Sequence, residues 1–291
     1  MRIRFPLLVV ACAANLQPDM SSMALDFNAA LAAAKKEARL VRERSKQQPP
    51  RDGGARPLPN APPLPDAPAA VRYAPDAVTK AEALALADGV RALDGWATLP
   101  QRRLLSCGGT PHPDGAWAEP LPECLRALAL RVAPLFGGAI PDQALVNEYD
   151  AGGGIDAHRD GPLYEPRAVV VSLESSAALD FYDDRGARVG AVLLRPRSLV
   201  AFDGAAYEAH DHGIAPATED AIDARVWNAA AAAVADGDVV RRAPKRLSIT
   251  FRRLRHVARR FDAVGLELLS DNDRSELARR RAWWASSIAE K

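Results

Sequence analysis

Arg246-Leu247-Ser248-Ile249-Thr250-Phe251-Arg252 alternates polar and apolar residues without a break, and a period of two is the mark of a strand with two unlike faces. Leu247, Ile249 and Phe251 point to a core, while Arg246, Ser248, Thr250 and Arg252 line the opposite face. Further short β-type runs lie upstream at 144–149, 168–173, 178–182, 188–194 and 198–202, with a weaker one at 207–213, and the arginine-flanked run itself extends over 246–255. Many short strands separated by turn residues point to a sandwich or barrel. The helical patterns precede these strands instead of alternating with them, which argues against a doubly wound parallel sheet. The expected fold class is mainly β with flanking helices, an α+β arrangement.

The flanking helices are read from caps and spacing. Thr79 and Glu82 form a T-x-x-E capping box ahead of Ala83, Leu84, Leu86 and Val90, which predicts a helix there. Leu125, Leu128, Val132 and Leu135 recur at helical spacing and predict another over 122–135. Residues 96–119 are rich in Gly and Pro and read as loop with one strand at 103–106. The Ala-rich stretch 220–238 reads as an inserted loop with one helix, and 273–290 as a terminal helix carrying Arg279-Arg280-Arg281 and Trp283-Trp284. Upstream, 26–46 reads as a helix with one basic face, either solvated or a nucleic-acid or partner contact. Eight prolines fall within 49–68, too many lost amide donors for a helix or central strand, so this is a linker or strap. The domain division is therefore an N-terminal extension, 1–70; a catalytic domain, 71–260; and a helical tail, 261–291.

Composition narrows the classes of function. The 291 residues are 48% hydrophobic and 26% charged, and 38 Lys plus Arg against 37 Asp plus Glu leave a net charge of +1. Such a chain is no polycation, so any nucleic-acid contact must come from a local patch. Cys12, Cys107 and Cys124 are odd in number and show no CxxC spacing, which argues against a disulfide framework or Cys-rich zinc module and suits a reducing compartment. No apolar run reaches the roughly 20 residues of a membrane-spanning helix. Arg2 and Arg4 before a short apolar run have the outline of a signal peptide, but a start at Met20 or Met23 is the preferred reading, and with it a nuclear or cytoplasmic location.

His158-Arg159-Asp160 sets an imidazole and a carboxylate two residues apart, where extended backbone turns both to the same side. His212, 54 residues downstream in Asp211-His212-Gly213-Ile214, completes a two-His-one-carboxylate set of the kind that leaves positions on Fe(II) open. His210 points the same way but lacks the Gly-Ile that follows His212. Alone, His-x-Asp reads first as a surface ion pair; the strand 246–252 changes that balance. Its two arginines lie roughly 20 Å apart at about 3.3 Å per residue, so they close on one small dicarboxylate only by folding inward from opposite ends. Gly152-Gly153-Gly154 is a tight turn and not a phosphate loop, since no GK[ST] follows.

With these motifs in place the sequence resembles the AlkB-type Fe(II)- and 2-oxoglutarate-dependent dioxygenases, particularly the branch of the sixth AlkB homologue. The resemblance runs through Leu145-Val-Asn147-Glu-Tyr149, Gly152 to Ile155, His158-Arg-Asp160-Gly-Pro-Leu-Tyr164, Leu179-Asp-Phe-Tyr182, Pro196-Arg-Ser198, His212-Gly-Ile214 and 246–253, and spans 71–260. It implies a double-stranded β-helix, or jelly roll, with helices on one side. It also implies His158, Asp160 and His212 as iron ligands, and Asn147, Tyr149, Arg246, Ser248 and Arg252 as contacts of the co-substrate 2-oxoglutarate. The implied chemistry consumes O2, hydroxylates a substrate C–H bond and, at an N-methyl group, ends in demethylation with loss of formaldehyde.

The resemblance and nine Lys or Arg without a carboxylate over 241–260 lead to an expectation of alkylated nucleic acid as substrate, single-stranded DNA or RNA preferred. Tyr164 and Trp117 are the aromatic side chains that could stack on a flipped base. The alternatives are an oxygenase acting on a protein side chain, or a non-catalytic jelly-roll binding module. The N- or C-terminal extension is a possible docking segment for a protein partner, and a monomer without membrane attachment is expected.

Overall fold

A computed structural model of the protein describes residues 58–59, 61–68 and 70–289, all within one unit, Ala55–Lys291. The basic segment 26–46, the apolar N-terminal run and half of the proline-rich segment lie outside the described residues.

In chain order the strands are β1 (Arg72–Ala74), β2 (Ala97–Thr98), β3 (Arg103–Gly108), β4 (Ala116–Ala118), β5 (Gln143–Asp150), β6 (Ile155–His158), β7 (Arg167–Leu173), β8 (Ala177–Tyr182), β9 (Arg188–Leu194), β10 (Leu199–Asp203), β11 (Asp211–Ile214), β12 (Glu219–Ala221), β13 (Val239–Arg241), β14 (Lys245–Arg252) and β15 (Val257–Arg260). One sheet has the order β1-β10-β7-β14-β5-β3-β2 and a second the order β6-β11-β8-β9. Every pairing within these two sheets is antiparallel. Two packed sheets whose neighbours are mostly non-consecutive strands make a jelly roll.

The alternating strand is β14, and it sits at the centre of the larger sheet between β5 and β7. Leu247, Ile249 and Phe251 pack with Leu86, Val90, Leu125, Leu128 and Val132 of the helices Lys80–Arg91 and Glu123–Val132. Its polar face is buried as well: Arg246 is 4% exposed and Arg252 5%. A second apolar cluster, including Val170, Leu179, Phe181, Leu194, Val200 and Phe202, fills the space between the two sheets. The layers are therefore helices, large sheet and small sheet, and the polar face of β14 opens into the inner one.

The capping box forms as read: Thr79 Oγ1 accepts from the Glu82 amide at 3.1 Å, and Glu82 Oε2 accepts from the Thr79 amide at 2.6 Å. The helix expected over 122–135 is α-helical over Glu123–Val132 and tightens to a 3-10 turn at Ala133–Phe136. Pro134, which has no amide to donate, falls where the winding changes, and Gly137 at φ 67° ends the turn.

Three readings need correction. The weak run at 207–213 divides into a short helix, Gly204–Glu208, and β11. The loop 96–119 contains β2 and β4 besides β3, and β4 pairs in parallel with β15. The Ala-rich stretch 220–238 holds no helix; its ends join as the ribbon β12-β13. Asn228 explains this, because its side chain brackets β9, accepting from the Leu193 amide at 2.8 Å and donating to the Leu193 carbonyl at 2.9 Å. Trp227 meanwhile lies so close over Gly190 that a side chain there has no room. These anchors outweigh the helix propensity of the alanines. No helix among the described residues is long and apolar enough to cross a membrane.

Candidate metal centre

β6 and β11 pair so that His158 stands opposite His212, with ring centroids 4.6 Å apart. Asp160, two residues past the end of β6, completes a group whose ligand atoms all lie within 4.8 Å of one another. His210 is not among them; its Nδ1 contacts the Ala205 carbonyl at 2.8 Å. The local sequence makes this approach possible. Gly152 takes φ +80°, and the Gly153 amide closes the turn onto the Asp150 carbonyl at 2.9 Å. At Gly213 an added Cβ would stand 2.9 Å from the Ile155 carbonyl oxygen and 3.0 Å from Ala157, so only glycine lets β6 and β11 close beside His212.

Charge is arranged to leave the ligands in their metal-binding states. Burial raises the affinity of Asp160 for a proton, but Arg252, together with His212 and His158, more than offsets it and holds the carboxyl down to about 2. Arg252 does so through two hydrogen bonds, 2.8 Å from Nε and 2.6 Å from Nη2. Burial pushes the His212 imidazole down to about 3. A neutral imidazole beside an ionised carboxylate is the set a divalent cation requires.

One cavity between the sheets is lined by His158 and His212 together with Asn147, Tyr149, Arg246, Ser248 and Arg252. Arg246 is buried there with no hydrogen-bond partner for Nε, Nη1 or Nη2; its guanidinium lies 5.3 Å from the centre of the Tyr149 ring. Burial pushes the Arg246 guanidinium below its ordinary range. A buried, unpaired cation is costly unless a ligand anion compensates it. The two nitrogen donors and one carboxylate fit Fe(II), and the uncompensated arginine fits one carboxylate of 2-oxoglutarate.

The symmetrical arginine clamp needs correction. Arg252 is committed to Asp160, so only Arg246 waits for an anion. Trp117 is also corrected: it is 8% exposed and packed against Phe261, Leu277 and Arg280, away from the cavities that His158 lines. Tyr164 does reach the site and lines a neighbouring cavity with His158, Asp160 and Arg252. Arg102, passed over in the sequence, donates from Nε to Asn147 Oδ1 at 3.1 Å; an isolated arginine in a Gly/Pro-rich stretch carries no signal of such a role.

The basic run over 241–260 is not a free stripe. Arg241, Arg242, Lys245, Arg252, Arg253, Arg259 and Arg260 face Glu219, Asp220, Asp150, Asp160, Glu165, Asp273 and Asp142 respectively. Arg246 points inward, and Arg255 donates to the Tyr164 carbonyl. The carboxylates that the local sequence lacks arrive from distant elements.

A jelly roll with two histidines lining its inner cavity, a carboxylate grouped with them, and an uncompensated arginine in that cavity, is the frame of an iron oxygenase that uses a keto-acid co-substrate. The chain belongs to the 2OG-Fe(II) oxygenase superfamily, whose family model matches residues 70–252, and is a dioxygenase dependent on Fe(II), 2-oxoglutarate and O2. It is similar to Probable RNA/DNA demethylase ALKBH6 of Danio rerio, 32% identical over 210 residues, 67% of this chain and 89% of that protein. A shorter match is to tRNA (carboxymethyluridine(34)-5-O)-methyltransferase ALKBH8 of Mus musculus, 33% identical over 120 residues, 40% of this chain and 18% of that protein. The solved structure of OsALKBH1 superposes with a TM-score of 0.46 at 17% identity, covering 66% of this chain and 100% of that one. The AlkB-type resemblance drawn from the motifs stands.

Proposed function

We propose that the protein is an oxidative demethylase of alkylated nucleic acid, acting by preference on single strands. His158, Asp160 and His212 hold Fe(II). Arg246 and Ser248 take the distal carboxylate of 2-oxoglutarate, Asn147 and Tyr149 bound the same pocket, and Arg252 keeps Asp160 ionised and oriented at the metal end. When bound, iron and 2-oxoglutarate would activate O2, one oxygen atom going to succinate as CO2 is lost and the other turning an N-methyl group into an unstable hydroxymethyl, which leaves as formaldehyde. The protein contributes ligand geometry, orientation of the co-substrate and exclusion of water from a cavity buried between two sheets.

The observation that carries this reading is the meeting, in one buried cavity, of His158 and His212, two members of the His158-Asp160-His212 group, with the unpaired guanidinium of Arg246. Similarity to a protein named as an RNA/DNA demethylase supports nucleic acid as the substrate. The test is anaerobic loading with Fe(II) and 2-oxoglutarate, followed by oxygen and a single-stranded oligonucleotide bearing one N-methylated adenine. Formaldehyde and succinate are expected in equal amounts, both lost in His158→Ala and Arg246→Ala. Failure to bind RNA or DNA at low salt, or consumption of methyl-lysine peptides in place of oligonucleotides, would overturn the substrate assignment.

A further inference from the structure

Past residue 252, where the family match ends, the chain returns to the site as the helix Asp271–Ala289. The helix is fixed at several points. Asp273 pairs with Arg259 and Arg281 with Glu119, Arg280 Nη1 donates to the Gly115 carbonyl at 2.6 Å, and Leu277 packs with Trp117 and Phe261. So held, it brings Trp283 and Trp284 to the wall of a cavity of about 210 Å³ that His158, Asp160, Tyr164 and Arg252 also line.

Both indoles are braced. Trp283 meets the buried His112 edge to face at 5.0 Å. Trp284 shares the cavity wall with Tyr164, the Arg252 guanidinium lies 5.2 Å from the centre of the Tyr164 ring, and Arg252 is in turn bidentate to Asp160. A contact chain thus runs from the C-terminal helix to a metal-ligand side chain.

We propose that this helix supplies the substrate-recognition wall, taking a flat N-methylated nucleobase against Trp284 with Trp283 at the rim and Tyr164 as the positioning residue. The inference rests on the nucleic-acid reading above and assigns its contact surface to a segment outside the matched family region. The cavity is smaller than the ~300–1,000 Å³ of drug-sized ligand sites, which suits a single ring system, and indole faces stack on any base. An aromatic cage can also hold a methylated ammonium, but the charge here opposes it. Of the three arginines that line the cavity, Arg159 and Arg252 are paired with Asp211 and Asp160. Arg102 has no ion pair among the described residues, leaving a cation to meet phosphate.

The experiment compares the loaded wild type with Trp284→Ala, Trp284→Phe and Tyr164→Phe on a single-stranded oligonucleotide carrying one N-methylated adenine. It also measures quenching of indole emission when the same oligonucleotide binds. Trp284→Ala is expected to raise KM about tenfold or more with a smaller change in kcat, as loss of one base stack implies. Trp284→Phe, which keeps a ring, is expected to recover most of that affinity while losing part of the quenching. An unchanged KM in Trp284→Ala, with wild-type demethylation intact, would overturn the wall and leave the demethylase reading standing. Quenching without turnover in the wild type would overturn the demethylase reading and keep the wall. Quenching by a trimethyl-lysine peptide and not by the oligonucleotide would overturn both. If Trp284→Ala does not fold, the affinity and quenching of Trp284→Phe decide the matter.

Discussion

Arg252 and Arg246 stand at opposite ends of one strand and carry the same charge, yet their surroundings give them different tasks. Arg252 has a fixed partner and serves to orient it, so shape matters more than charge. Arg252→Lys keeps the cation but loses the planar fork that grips both Asp160 oxygens. Weakening such a support behind a metal ligand costs about 10–100-fold in metal affinity, and an anaerobic Fe(II) titration of Arg252→Lys is expected to show it. An unchanged affinity would mean that the backbone alone orients Asp160. Glu148 offers a test away from the metal. Burial raises its proton affinity, but Arg103 and Arg91 outweigh that and leave its carboxyl below the ordinary range. The stability it adds is present above the unfolded value of about 4.3 and is lost as pH falls through the depressed folded value. The advantage of wild type over Glu148→Gln in urea unfolding is therefore expected to shrink from pH 7 toward pH 3; an advantage that grew on acidification would reverse the assignment.

Among the elements, the helix Lys80–Arg91 begins where its box of Thr79 and Glu82 begins, and Thr79→Ala is expected to cost about 1 kcal/mol in denaturant melts. No change would mean that packing of Leu86 and Val90 alone sets the start. This helix and β14 were legible because their signals are local: a cap separated by three residues, and a period of two. The His158-Asp160-His212 group was legible because His158 and Asp160 share one side at a spacing of two and the family resemblance pointed to His212 as the third member. Other features were hidden for a physical reason. Period two separates faces but does not say which partner each side chain meets, so two arginines read as one clamp proved to have separate tasks. In the same way, Asn228 and Trp227 act through β9, some 35 residues away, where helix propensity carries no information. Trp117 and Trp284 illustrate the exchange of roles: the first lies in the core, while the second, in a tail with no motif, lines the cavity beside the metal centre.

At the scale of the whole molecule, a net charge of +1 and a basic run consumed by ion pairs set a limit on electrostatic binding. Single-stranded nucleic acid releases counterions with a slope near −0.7 per phosphate contacted, so two or three contacts imply a slope of about −2 in log K against log salt. Anisotropy titrations between about 50 and 200 mM salt measure it; a slope near −6 would show that the pairs open to accept the strand. The register that sets His158 against His212 also decides when iron can enter. These two residues are separated by 54 positions of chain, a span that includes four strands and a helix. Closing so long a loop costs entropy that a single ion cannot recover early, so the ligand set comes into being only when β6 and β11 zip together. Metal is therefore expected to enter a finished fold as a passenger, and a chain made without iron is expected to reach the same architecture and wait to be loaded.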